Sequence, residues 1–290
     1  MNTDTRQDKK KIFSLDKMFS NIGLLITSLI LLIYFIAIAY PLFWMVMNSF
    51  KDTQSIITES WSMPEEWLFS NYASAWELGV STYFINSVIV TGVTCIITVV
   101  CSALCAYALS RFKIKGRNLL LLVVSSGLMF APQVAIVPLY DLSISFNLYD
   151  TYWALILPYA AFRLPLTILI MRAYFLSIPK ELEESALIDG CSRFGIFYRI
   201  ILPMSKPIIF TSIILTAYYV WNEILFAVIF IESDELKPIS AGLLAFRDAL
   251  KTDWGVLMAG LVLSAIPLIL LFLFAQKYFI RGLSEGSVKG

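Results

Sequence analysis

Six long apolar runs, at 18–50, 78–110, 118–140, 151–171, 207–231 and 254–276, constrain the fold of this chain more than any other feature. Each is long enough to cross the hydrocarbon of a bilayer as a helix, which takes about 20 residues, and a helix satisfies its own backbone groups where water is absent. Of the 290 residues, 59% are apolar and 15% charged, where a soluble domain carries about 25% charged residues. The expectation is an all-α polytopic membrane protein with six transmembrane helices, at about 20–47, 84–109, 119–140, 152–172, 207–231 and 254–277, forming a single domain over 1–290. An even number of crossings puts both termini on one side.

Lys and Arg gather in segments that face the cytoplasm, so their distribution sets the orientation. Seventeen of the 22 fall in the N-terminal segment, the loops after the second and fourth runs, and the C-terminal tail. Lys51, Lys237, Arg247 and Lys251 fall in the other loops. Both termini, the loop 177–203 and the tail 278–290 are therefore expected in the cytoplasm. Lys9, Lys10, Lys11 and Lys17 ahead of the first run, with Ala37-Ile38-Ala39 inside it, look like a secretory signal. The run exceeds the roughly 7 to 15 residues of a signal core, and a retained anchor is expected.

The chain has no histidine, which removes His-based triads, H-E-x-x-H zinc sites and histidine general bases. No paired acids lie inside the runs and no G-x-x-x-x-G-K-[ST] loop is present. Neither a membrane-embedded enzyme nor ATP hydrolysis by this chain is expected, and no catalytic or metal-binding residue is assigned. Cys95, Cys101, Cys105 and Cys191 contain no C-x-x-C motif and read as packing residues. A net charge of +1 provides no field for nucleic acid. A secondary transporter would show internal repeats and ionisable relays, whereas Arg163 and Glu223 are the ionisable residues inside the runs.

The loop 177–203 is the richest polar segment. Pro179 suits a first helical turn, Glu181, Glu183 and Glu184 complement the positive end of a helix, and Gly190 suits a left-handed stop. A second short helix is expected from about Ser192 to Ile201, ending before Pro203. Leu182, Ala186, Ile188, Phe194, Phe197 and Ile200 are too apolar for a plain connection. They either pack on the ends of the bundle or fill a pocket on a partner.

Within this loop, Glu184, Ala186, Gly190, Ile200, Leu202 and Pro203 match the pattern E-A-A-x3-G-x9-I-x-L-P, with Ser185 in place of the middle alanine. The pattern resembles that of binding-protein-dependent ABC importer permeases of the type I fold. Ala106-Tyr107-Ala108-Leu109-Ser110-Arg111-Phe112 with Gly116-Arg117, Trp221-Asn222-Glu223, Tyr278-Phe279-Ile280-Arg281-Gly282-Leu283 and Val288-Lys289-Gly290 resemble the sugar-importing branch, in particular its maltose-type second permease. The resemblance implies that Glu184, Ser185, Ala186, Asp189, Gly190, Ile200, Leu202 and Pro203 form a coupling helix on a cytoplasmic ATPase. It implies that Arg281, Gly282, Leu283 and Lys289 in the tail reach between two ATPase subunits, and that Ser240, Ala241, Gly242 and Leu243 touch an extracellular solute-binding protein. By composition alone that outer loop is a solvated connection. The further implied partner is a second permease in a bacterial or archaeal plasma membrane. ATP and Mg²⁺ would bind the ATPase, leaving this chain without a cofactor. An oligosaccharide is the expected solute; an acidic sugar, a glycerol-phosphate-like compound or another small polar solute is the alternative.

Arg163 lies 12 residues into its 21-residue run, where an arginine costs at least about 2.5 kcal/mol unless it finds a cavity or an acid. Three readings stay open: a structural pair with Glu223, a place on the solute pathway, or a contact with the partner permease. Tyr218, Tyr219, Trp221 and Asn222 combine aromatic faces with hydrogen-bonding tips, the chemistry that holds sugar rings and hydroxyls, and equally that of ordinary helix packing. With Arg163 and Glu223 they are the candidate pathway residues.

Overall fold

A computed structural model of the protein describes residues 4–246 and 252–287 and, within them, the side chains of 23–244, 246, 252–274 and 276. Among the described residues all regular structure is helical. Chain order gives α1 Asp4–Asn48, α2 Thr53–Thr58, α3 Ser70–Ala75, α4 Ser81–Arg111, α5 Arg117–Ser126, α6 Ile136–Ser145 and α7 Trp153–Ser177. There follow α8 Glu181–Ile188, α9 Arg193–Ile196, α10 Leu202–Met204, α11 Lys206–Asn222, α12 Leu225–Phe230, α13 Ile239–Gly242 and α14 Trp254–Ser287.

Four stretches, Gly23–Asn48, Ser70–Arg111, Trp153–Ser177 and Trp254–Phe274, are each long and apolar enough to cross a bilayer. Six are reached when each of two sharply bent helix pairs counts as one crossing. The expected third span, 119–140, is such a pair: Arg117–Met129 and Pro132–Ser145 meet at 93°. Ala131 precedes a proline and is extended, at ψ 126°; the pyrrolidine ring crowds out the α conformation there, and Pro132 has no N–H to carry a helix forward. The expected fifth span, 207–231, is also interrupted. Glu223 is extended, at ψ 123°, and separates α11 from α12. In contrast, α14 continues to Ser287, past the expected end of the sixth span.

The bundle is built on α4, which packs along α7 and α11, while α11 packs along α14. Thr94, Thr98 and Ser102 of α4 and Ser212 and Thr216 of α11 are buried in these seams; small residues let helices approach closely where lipid gives no hydrophobic drive. The most apolar window of Gly23–Asn48 has no buried residue, so this part of α1 presents its surface to lipid or to another chain. The segment after α1 is tied down by Lys51, whose Nζ donates to the Glu59 carbonyl at 2.8 Å and to Ser62 Oγ at 3.2 Å. Asp52 caps α2 by accepting from the Ser55 N–H and hydroxyl, which hold its carboxyl below the usual range.

Candidate functional site

At one end of the bundle the loop 177–203 folds as two short helices. Helix α8 closes with the Cys191 N–H donating to the Ala186 carbonyl at 2.9 Å and the Gly190 N–H to the Leu187 carbonyl at 3.1 Å. This paired closure needs a left-handed residue, and Gly190 supplies it at φ +82°. Ser192 then caps α9, its Oγ accepting from the Gly195 N–H at 3.1 Å. The second helix does not end before Pro203. It passes through a wider turn at Phe197–Ile201 into Leu202–Met204, and the chain bends by 76° into α11. Pro203 stands at the start of this last piece, where its missing N–H costs little.

The apolar residues of the loop divide between the two roles left open by the sequence. Ala186, Ile196, Phe197 and Ile201 are buried with Met171 and Phe175 of α7, Ala106 and Tyr107 of α4, and Ile208 of α11. Ile188 is 87% exposed and Phe194 70% exposed, so an apolar ridge stands clear of the bundle. Of the other residues assigned to coupling, Glu184, Ser185, Asp189 and Pro203 are exposed and Ile200 and Leu202 half-buried.

Behind this exposed ridge, Glu183 and Arg111 tie the loop to α4. Arg111 Nε lies 2.6 Å from Glu183 Oε1, with the two side chains 3% and 10% exposed. Burial pushes the Glu183 carboxyl above its ordinary value, against the pull of Arg111. Arg111 Nη2 also donates to the Ile178 carbonyl at 2.9 Å, and Tyr107 Oη to the Arg193 carbonyl at 3.2 Å. The sequence carried a signal for this pair: residues 183 and 186 share a helix face, so burying Ala186 turns Glu183 inward, while Glu181 and Glu184 point away.

The residues assigned to a pathway separate into two groups. Tyr218, Trp221 and Asn222 line a cleft of about 750 Å³ between α1, α11, α13 and α14, together with Leu42, Ser240, Leu243 and Leu261. The Trp221 indole N–H is engaged with the Ser264 carbonyl at 3.0 Å, and Asn222 Nδ2 with the Tyr218 carbonyl at 2.8 Å. Arg163, Tyr219 and Glu223 lie elsewhere, towards α7. Glu223 is not paired with Arg163. Its carboxylate accepts from Tyr159 Oη at 2.6 Å and from the N–H groups of Leu225 and Phe226 at 3.0 Å each, so it fastens the start of α12 across the interruption. Arg163, the eleventh residue of α7, sets its guanidinium over the Tyr219 ring, 5.1 Å from the centroid, and its buried Nε has no hydrogen-bond partner among the described residues.

The opposite loop is not a solvated connection. Asn86 Nδ2 donates to the Glu235 and Lys237 carbonyls at 2.7 and 3.0 Å, Ser87 Oγ accepts from the Ile239 N–H at 2.8 Å, and Asp150 accepts from the Glu232 and Ser233 N–H groups. Burial alone would raise the Asp150 carboxyl; the Ser233 and Glu232 donors hold it low. Of the residues assigned to the binding protein, Ala241, Gly242 and Leu243 are buried, and Ser240 Oγ donates to the Glu223 carbonyl at 2.7 Å. A Cβ on Gly242 would collide with the Tyr83 ring. Among the described residues of this loop, 232–235, Leu244 and Asp253 are exposed. In the tail, Lys289 lies outside the described residues, and the side chains of Arg281, Gly282 and Leu283 lie outside those described.

Known proteins match this arrangement over most of the chain. A probable ABC transporter permease of Bacillus subtilis, YurM, is 60% identical over 260 residues, covering 90% of this chain and 87% of that protein. The diacetylchitobiose uptake system permease NgcG of Streptomyces coelicolor is 33% identical, covering 91% of this chain and 88% of its own length. The arabinooligosaccharide transport permease AraQ of Bacillus subtilis is 33% identical, covering 87% and 90%. Among solved structures, a bacterial ABC transporter involved in import of the acidic polysaccharide alginate has a chain that superposes with a TM-score of 0.79 at 23% identity, covering 89% of this chain and 97% of that one. Residues 98–285, which hold the loop 177–203 and both interrupted helix pairs after Ile97, match the family described as binding-protein-dependent transport system inner membrane component, and the chain belongs to that family.

Proposed function

We propose that this chain is one of two permease subunits of an ATP-driven importer that takes an oligosaccharide from an extracellular binding protein and is powered by two cytoplasmic ATPase subunits. The observation that carries the reading is the loop 177–203, where a Gly190-stopped helix presents Ile188 and Phe194 clear of the bundle. A protein that only connected α7 to α11 would have no use for such a ridge. The excess of Lys and Arg at this end supports placing it, and both termini, in the cytoplasm of a bacterial or archaeal cell. ATP and Mg²⁺ belong to the ATPase partner. The likeness to the diacetylchitobiose and arabinooligosaccharide permeases supports a sugar as solute. So does the cleft, where the exposed Tyr218 ring and the amide of Asn222 meet apolar walls.

A second reading, an acidic sugar, is favoured by Arg163, a cation deep in α7 that forms no salt bridge among the described residues. Uptake of labelled solutes in the host lacking this chain tests both. Loss of uptake of a neutral oligosaccharide, with monosaccharide uptake intact, is expected. Loss confined to an acidic oligosaccharide would select the second reading, and unchanged uptake across neutral and acidic saccharides would overturn both.

A further inference from the structure

We propose that α4 is a strut joining the two docking ends of the permease, with Arg111 and Asn86 as the positioning residues at its ends. The inference rests on the importer reading above and adds the element that carries the stroke. The loop 177–203 is joined by the chain itself to α7 and α11, so a push on it reaches those helices directly. Helix α4 has no such link. Its polar hold on the loop consists of the Arg111–Glu183 ion pair at 2.6 Å, the Arg111 bond to the Ile178 carbonyl, and the Tyr107 bond to the Arg193 carbonyl, beside the packing of Ala106 and Tyr107 on Ala186 and Phe197. At its other end Asn86 donates to the Glu235 and Lys237 carbonyls while its Oδ1 accepts from Tyr152 Oη at 2.7 Å. Asn86 and Arg111 are about 37 Å apart along the helix at 1.5 Å per residue. The unbroken α4 therefore grips both loops through side chains, and the unbroken α7 reaches both through the chain itself and Asp150, whereas the helix pair at 117–145 and the α11–α12 connection are interrupted on the way.

A buried ion pair adds little net stability over an apolar pair of similar size, and what it adds is a fixed orientation. The pair Arg111→Met with Glu183→Leu should accordingly assemble with the ATPase as the parent does, while solute transported per ATP falls on the order of five- to tenfold, the usual size of coupling between sites. Asn86→Leu, combined with Tyr152→Phe so that no hydroxyl is stranded, should lower the same ratio. Joining the two pairs of changes should do no more harm than either alone, because a strut cut at one end is already cut. The milder Arg111→Lys and Asn86→Ser variants give the same test if the larger changes fail to assemble. The measurement uses the complete complex in proteoliposomes with its binding protein. A parental ratio in these variants, or losses that multiply when the two ends are altered together, would overturn the strut. A parent complex whose ATP hydrolysis ignores the binding protein would instead overturn the importer reading.

Discussion

Replacing Ile188 and Phe194 together by aspartate is expected to free this permease from its ATPase while leaving its helices folded. Both side chains stand on the exposed side of the loop, at 87% and 70% exposure, so charge there desolvates nothing within the permease. Ala186, Ile196, Phe197 and Ile201, which fix the loop to α4, α7 and α11, are untouched. Apolar anchors at the centre of an interface are worth about 2 kcal/mol or more each, and two of them correspond to roughly a thousandfold in affinity. Co-purification with the ATPase should fall to background, with the thermal unfolding midpoint of the isolated permease within about 2 °C of the parent, as surface changes leave it. Retained co-purification would place the dock on another surface.

Glu223→Ala is expected to be the most damaging single change inside the bundle. It removes the acceptor for Tyr159 Oη and for the N–H groups of Leu225 and Phe226 at once. A buried donor left without a partner costs about 1–3 kcal/mol. Tyr159 is fully enclosed whereas Leu225 is exposed, so the loss should be about 2–4 kcal/mol rather than the sum of three full penalties. Glu223→Gln keeps a carbonyl oxygen and should lose less than half as much. Adding Arg163→Ala to Glu223→Gln should bring no recovery, since the two side chains are not paired. Thermal unfolding of the purified variants checks the order, and recovery in the double variant would restore the ion pair that the structure does not contain.

The parts of this architecture that depend on length and periodicity were legible in the sequence. Six apolar runs gave the number of crossings to within the treatment of bent pairs, and Gly190 gave the stop of α8 because few other residues tolerate φ +82°. Interruptions inside apolar runs were harder to see. Pro132 lies in a run that hydropathy alone treats as continuous, and its effect is carried by backbone sterics, which hydropathy does not register. Glu223 looked like a buried charge in search of a cation, and its partners turned out to be backbone N–H groups released by the interruption it helps to hold. Ala241, Gly242 and Leu243 looked solvated because the loop around them is polar; Asn86 and Ser87, 150 residues away in sequence, draw the loop onto α4. Such contacts between distant segments leave no local pattern.

The central claim is that transport through this chain is driven by ATP hydrolysis on a partner and fed by a binding protein. It is tested most directly by uptake of labelled oligosaccharide into proteoliposomes holding the complete complex. ATP is supplied inside, and the binding protein is added or withheld outside. The account predicts uptake only when both are present, with none for the Ile188→Asp, Phe194→Asp variant under the same conditions. Uptake that proceeds without ATP under an imposed ion gradient, and is indifferent to the binding protein, would contradict it.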